Sequence, residues 1–221
     1  MVACRIDHLV ITAPSLGVGA AFIKEALGVD PQAGGRHPSM GTHNLLLSLG
    51  DALYLEVISI DPSLPAPHRP RWFGMDNLPG SSSPALSTWV ARTTNIRSAA
   101  ARSSESLGIV TPMHRGDLTW LITIPPDGLV PLDGVAPALI EWPAGVHPAA
   151  RLDDCGLRLV KFEIFHPDPN RVQRLLSSVD AQDVISVAAS SDETSSLSAT
   201  ISTPEGVRYL SSGKSVGNRR T

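Results

Sequence analysis

One succession of strand-like and helix-like segments occurs three times along the chain, and this internal repetition constrains the fold more than any other feature of the sequence. The first copy opens with the strand-like IDHLVITA. SLGVGAAFIKEALGVD follows, with Phe22, Ile23, Ala26 and Leu27 at helical spacing behind the candidate N-cap Ser15 and with Gly28 as a stop. HNLLLSLG and ALYLEVIS then read as two strands joined by a turn at Gly50 and Asp51. The second copy repeats the order: LSTWVARTT as a strand, NIRSAAARSSESLGIV as a helix with Ile96, Ala99, Ala100 and Leu107 on one side, and DLTWLITI and APALIEWP as strands. A third, more degraded copy runs through LRLVKFEIF, DPNRVQRLLSSVD, DVISVAAS and LSATISTPEGVRYLSS, with a turn at Pro204 to Gly206. His8 and Gly28 stand 20 positions apart, as do Thr88 and Gly108, so the register repeats as well as the order.

The expected fold class is therefore α+β: repeated βαβββ units forming a cupped mixed sheet, with helices on its outer face and a ligand cavity shared between two units. The expected organisation is a first unit at 1–62, a Pro- and Gly-rich linker at 63–84, a second unit at 85–145, the degraded third unit at 155–212 and a flexible tail at 213–221. Lys and Arg total 18 against 21 for Asp and Glu, a net charge of -3, so no global positive field favours nucleic acid or a lipid surface. The amino terminus reaches Arg5, Asp7 and His8 before any signal-type apolar run develops, and no later run is long enough to span a bilayer; a cytoplasmic protein is expected. Cys4 and Cys155 make no metal or disulfide framework. Open-edged sheets of this kind pair between chains, so a homodimer is left open, with the third unit as the competing cover for that edge.

Strand alternation groups His8 with Ile6 and Val10, His43 with Leu45 and Leu47, and Glu56 with Tyr54 and Ile58. All three polar residues thus fall among apolar neighbours on faces expected to be buried, where a carboxylate is costly unless paired or bound to a metal. Two imidazoles and a carboxylate from three strands match a ligand set that leaves positions open on Zn, Fe, Mn, Ni or Co. Each also has a plain alternative: His8 as a core histidine bonded to backbone, His43 as a strand-edge residue, and Glu56 as the partner of Arg5 or Arg71.

The repeat, with a histidine in its first strand (DHLVIT), a histidine opening the third (GTHNLLLSLG) and a glutamate in the fourth (LYLEVIS), resembles the vicinal oxygen chelate superfamily and, within it, the glyoxalase-like domain proteins. The RPRWFGMDN segment adds to the likeness, which covers roughly the first 145 residues well. The resemblance implies a divalent metal ion on His8, His43 and Glu56 that chelates two neighbouring oxygens of a small substrate, in a lyase, isomerase or dioxygenase. The alternative within the same superfamily is a metal-free protein of the bleomycin-resistance type that sequesters a small molecule. The second unit departs from the pattern, placing Thr88 opposite His8 and Thr119 opposite His43, while Glu141 takes the position of Glu56 and is open to roles as a ligand, a general base or a structural carboxylate.

Several further residues have two readings each. Tyr54, on the Glu56 face, is a candidate proton donor or a plain core residue. Arg71 and Trp72 are candidates for clamping and walling a substrate, or for anchoring the linker. Trp120, in strand register with Leu118 and Ile122, reads as core packing and as a second wall. His114 and Arg115 are placed either at a cavity mouth or on the surface. His37, His68, His147 and His166 sit beside proline or in expected loops and are assigned no chemistry. No phosphate loop and no serine nucleophile elbow is present.

Overall fold

The computed structural model describes residues 3–145, 147–181, 183 and 185–212; the tail expected at 213–221 lies outside them. The first unit is β1 (Arg5–Thr12), α1 (Leu16–Leu27), β2 (Gln32–His37), β3 (Thr42–Ser48) and β4 (Tyr54–Ile60). The Ser15 hydroxyl accepts the Val18 amide at the start of α1, and Gly28 ends it at φ 81, its N–H donating to the Lys24 carbonyl. Strand β2 has the sequence QAGGRH, which has no apolar alternation to announce it; its pairing with β3 makes it a strand.

The second unit is β5 (Ala85–Arg92), α2 (Ile96–Arg102), β6 (Ile109–Arg115), β7 (Leu118–Ile124) and β8 (Ala138–Glu141). Its helix is shorter than the apolar spacing predicts. After Arg102 the Ser103 hydroxyl accepts the Glu105 amide, a local bond that competes with the helical one, and the chain turns towards β6. Gly108, the counterpart of Gly28, has φ 99, and a Cβ there would lie 2.3 Å from the Ile124 carbonyl carbon and from the Pro125 nitrogen. Left-handed backbone costs an L-residue about 1–2 kcal/mol before any clash. Gly108→Ala is expected to lower the thermal midpoint by at least roughly 4–8 °C for about 2 kcal/mol in a chain this size, checked by calorimetry.

The two units form one eight-stranded sheet in the order β2-β3-β4-β1-β5-β8-β7-β6. Around the central antiparallel pair Leu9–Trp89, the pairs His8–Val90 and Val10–Thr88 exchange places, the relation of two units turned by a half-turn. Alternation then sorts the core into two faces. Leu9, Ile11, Leu55, Val57, Trp89 and Leu139 pack beneath α1 and α2, through Ile23, Leu27, Ile96 and Ala99. Val10, Ile58, Val90, Trp120, Ile122 and Ile140 line the concave face, which the linker closes with Trp72 and Met75. The sheet curls until its edge strands β2 and β6 approach, where Gly35 faces the Arg115 side chain.

The third segment comprises β9 (Arg158–His166), α3 (Pro169–Ser178), β10 (Ile185–Ala189), β11 (Ser196–Thr203) and β12 (Gly206–Ser211). Its element order repeats but its pairing does not. In the first two units the first strand pairs in parallel with the last, whereas β9 sits between parallel β10 and antiparallel β11 in a separate four-stranded sheet. That sheet packs on the helix side behind β5, with Phe162 edge-on to Trp89 at 5.5 Å, and leaves the edges β2 and β6 to each other. Among the described residues no helix is long and apolar enough to cross a membrane.

Candidate functional site

Strand β1 sets the centre of the concave face through one irregularity. Its pairing with β5 slips between Ile6 and His8, and Asp7 is the residue left over. A bulge of this kind re-aims a side chain. Asp7 is fully buried, and its carboxylate takes 2.7 Å from His8 Nδ1, 2.9 Å from His147 Nε2 and 3.1 Å from the Trp142 indole nitrogen. Burial pushes the Asp7 carboxyl up, but the hydrogen bonds from His147 and His8 outweigh it and hold the group well below the usual carboxylate range.

An ionised carboxylate only accepts, so the ring nitrogens facing Asp7 carry the protons. The Ala149 amide donating to His147 Nδ1 agrees with that assignment. In the neutral His8 ring the lone pair then lies on Nε2, 3.6 Å from Glu56 Oε2. Two acceptors face each other inside the protein, and only a proton or a cation between them makes that favourable. The other Glu56 oxygen accepts 2.5 Å from Asn44 Nδ2, while Asn44 Oδ1 accepts from the Gly35 amide at 2.8 Å and from Arg115 at 3.2 Å.

Tyr54 stacks on His8 with ring centroids 4.5 Å apart. Burial, with the negative charges of Asp7 and Glu56, pushes its hydroxyl well above the ordinary tyrosine value, so it stays protonated. His37 closes the far side. Burial and then the Arg115 charge push its ring down to about 3, leaving it neutral, with Nδ1 at 3.1 Å from Thr42 Oγ1 and Nε2 at 3.4 Å from Arg115. The cavity, open on one side, is about 30 Å³, with Trp72, Phe73, Trp120 and Trp142 as its aromatic walls. That holds a water or two, so a larger ligand enters only as the wall yields. The wall's linker section holds Phe73 at φ 59 and Gly74 at φ 64, outside any sheet.

Of the expected metal ligands, the structure brings His8 and Glu56 together and turns His43 away. In β3 the alternation that groups His43 with Leu45 and Leu47 places all three on the helix side, and His43 lies 3.7 Å from Asp61. Asn44, one residue on, takes the place beside Glu56. Among the described residues no three His, Cys, Asp or Glu side chains are grouped to hold an ion. A resident divalent metal does not fit this donor set: two protein donors face each other, the third neighbour presents an amide N–H to Glu56, and a guanidinium stands beside it.

Register also relocates Glu141. Val10 faces Glu56 across β1 and β4, and its half-turn counterpart Val90 faces Ala138 across β5 and β8. Ala138, three residues before Glu141, is therefore the equivalent of Glu56, and Thr88 the equivalent of His8. Glu141 points to the other face and accepts the Ile96 amide at 2.7 Å at the start of α2. Arg71 is bound to Asp76 at 2.5 Å rather than lining the cavity. Trp72, Trp120 and Tyr54 do line it, as does Arg115, whereas His114 faces an outer groove. Asp7, Asn44 and Trp142 carry no sequence expectation, and His37 and His147, assigned no chemistry because they sit beside proline, both belong to the site, His37 on its wall and His147 on Asp7. The one available signal was Asp7 itself, a charged residue inside an apolar strand.

The sequence profile described as a glyoxalase-like domain matches residues 6–179. No curated protein sequence matches the chain. Similar solved structures include a hypothetical protein from Staphylococcus aureus, 12% identical over 94% of this chain and 84% of that one, with a TM-score of 0.52. A mutant of 4-hydroxymandelate synthase from Streptomyces coelicolor is 15% identical over 96% of this chain and 63% of that one, also at 0.52. Methylmalonyl-CoA epimerase from Mycobacterium tuberculosis is 15% identical over 62% and 87%, at 0.43. At these identities the first two likenesses are likenesses of fold.

Proposed function

The chain belongs to the glyoxalase-like domain family, and from that membership we propose an enzyme that moves a proton on a small oxygen-bearing molecule held between its two fused units. The observation that carries this reading is the facing pair His8 Nε2 and Glu56 Oε2, each fixed from behind by a buried partner, Asp7 and Asn44. Positioned groups of this kind are what general acid–base catalysis needs. Glu56 would take a proton from a carbon beside a carbonyl. The C–H electron pair then passes to the carbonyl oxygen as an enolate, and His8, with Nδ1–H held by Asp7, exchanges protons through Nε2. Return of the proton to the same or a neighbouring carbon completes an isomerisation; loss of a leaving group instead completes an elimination.

Isomerase and lyase chemistry thus need only the groups this chain supplies. The metal-chelating form expected from the sequence, and a dioxygenase with it, would require donors beyond His8 and Glu56. Protein purified without chelator is expected to carry far less than one transition-metal ion per chain by elemental analysis. One equivalent of Zn, Fe, Mn, Ni or Co, lost on His8→Ala, would overturn that expectation.

The direct test of the proton-transfer reading is deuterium wash-in from D2O, followed by proton NMR, with a panel of small 2-oxo and 2-hydroxy compounds. Catalysed exchange into at least one of them is expected, and exchange into none sinks the reading. A second reading, a binding protein without chemistry, draws support from the four aromatic walls. It expects aromatic compounds to raise the thermal midpoint with no deuterium incorporated.

A further inference from the structure

Arg115 ends β6 with its guanidinium turned into the cavity, half-buried, and among the described residues no carboxylate lies within 4.0 Å of it. What fixes it is uncharged: Asn44 Oδ1 at 3.2 Å and the neutral His37 ring at 3.4 Å. The chain makes room for it, since a Cβ on Gly35 would stand 2.6 Å from the Arg115 Cδ. A second donor on the same walls has no partner at all: the indole nitrogen of Trp72, a residue only 4% exposed, makes no hydrogen bond. A half-buried guanidinium held only by neutral acceptors keeps donors free to pair with an anion.

We propose that the cavity selects small monocarboxylates, with Arg115 holding the carboxylate and the tryptophan walls taking the apolar remainder. This rests on the proton-transfer reading above and names its substrate class. A guanidinium fork matches a planar carboxylate in two parallel hydrogen bonds. Asn44 touches both Arg115 and Glu56, so a carboxylate on the former is one carboxamide away from the latter, and in a 2-oxo acid held this way the C3–H beside the ketone is the proton offered to the base. Glu56 and Asp7 lie on the same side of the sheet and would repel a second negative charge. Dianions and inorganic phosphate are therefore excluded.

The test is calorimetric titration of the intact chain with 2-oxobutyrate and phenylpyruvate, with their primary amides, and with malonate and inorganic phosphate. The acids are expected to bind at least about tenfold more tightly than the amides, and malonate and phosphate not at all. Arg115→Gln should weaken the acids by about 10- to 100-fold and leave the amides unchanged. Arg115→Lys should recover part of the loss, and Gly35→Ala, which displaces the same side chain without removing it, should fall between. Equal binding of acids and amides, unchanged acid affinity in Arg115→Gln at an unchanged thermal midpoint, or no binding of either acid at millimolar concentration would each overturn the proposal. The two readings fail differently. If acids bind through Arg115 but no compound takes up deuterium, proton transfer is wrong and carboxylate binding stands; if amides exchange as fast as acids, the reverse holds.

Discussion

Replacing Glu56 by glutamine is expected to slow deuterium exchange by about 10²- to 10⁴-fold while leaving the thermal midpoint unchanged or slightly raised. The two halves of this expectation have one cause. The carboxamide has the shape of the carboxylate, its oxygen still accepts from Asn44, and its NH2 donates to the His8 Nε2 lone pair that the native carboxylate oxygen faces at 3.6 Å. A pair of opposed acceptors becomes a satisfied hydrogen bond, but the base is gone. Exchange within a few-fold of wild type would mean that Glu56 is a structural carboxylate. A midpoint well below wild type would mean that its charge supports the fold.

Asp7→Ala acts chiefly on stability. It leaves His8, His147 and Trp142 donating into a void inside the protein, and breaking a buried charged network of this kind costs about 3–5 kcal/mol. For a chain of this length that is a fall of roughly 6–20 °C in the thermal midpoint. A fall of only a degree or two would show that water fills the gap and satisfies the three donors. The same group gives the wild type a pH signature. The folded Asp7 carboxyl is held below its unfolded value, so the unfolded chain binds the proton more tightly. The stability it contributes is complete above the unfolded carboxylate value, about 3.9, and is lost as pH falls through the folded one. Wild type should thus lose stability below about pH 4 more steeply than Asp7→Asn does. Asp7→Asn also separates positioning from packing. Its NH2 faces His8 Nδ1 and favours the tautomer with the proton on Nε2, so exchange should fall while the fold survives.

The architecture was largely legible because it rests on local signals repeated in register. Ser15 and Gly28 bound α1 as capping chemistry requires, and Gly28 and Gly108, 20 residues after His8 and Thr88, both take the left-handed backbone that favours glycine. Where local signals are weak, the reading failed. β2 has no apolar alternation and exists only through its partner, and the helix expected through Val110 stops once serine begins to bond its own backbone. The third segment keeps the order of elements, yet its strands pair differently, because pairing is a choice between distant neighbours that element order does not encode.

The candidate site divides in the same way. Alternation along one strand told correctly which residues share a face, including His43 with Leu45 and Leu47. It did not tell which face turns inward, and that single unknown exchanged His43 for Asn44 beside Glu56. The bulge at Asp7, the three-residue offset between Glu141 and the true counterpart of Glu56, and the reach of Arg115 across Gly35 are all relations between strands. Sequence by itself thus determined the order of elements in the repeated unit and the ends of α1, since these follow from spacing within one segment. Tertiary structure alone decided the buried carboxylate behind His8 and the unpaired cation opposite it. The slip between β1 and β5 buries Asp7, next to His8 in the chain, under Trp142 and His147, and the curl that brings β6 to β2 and β3 sets Arg115 against Asn44 and His37.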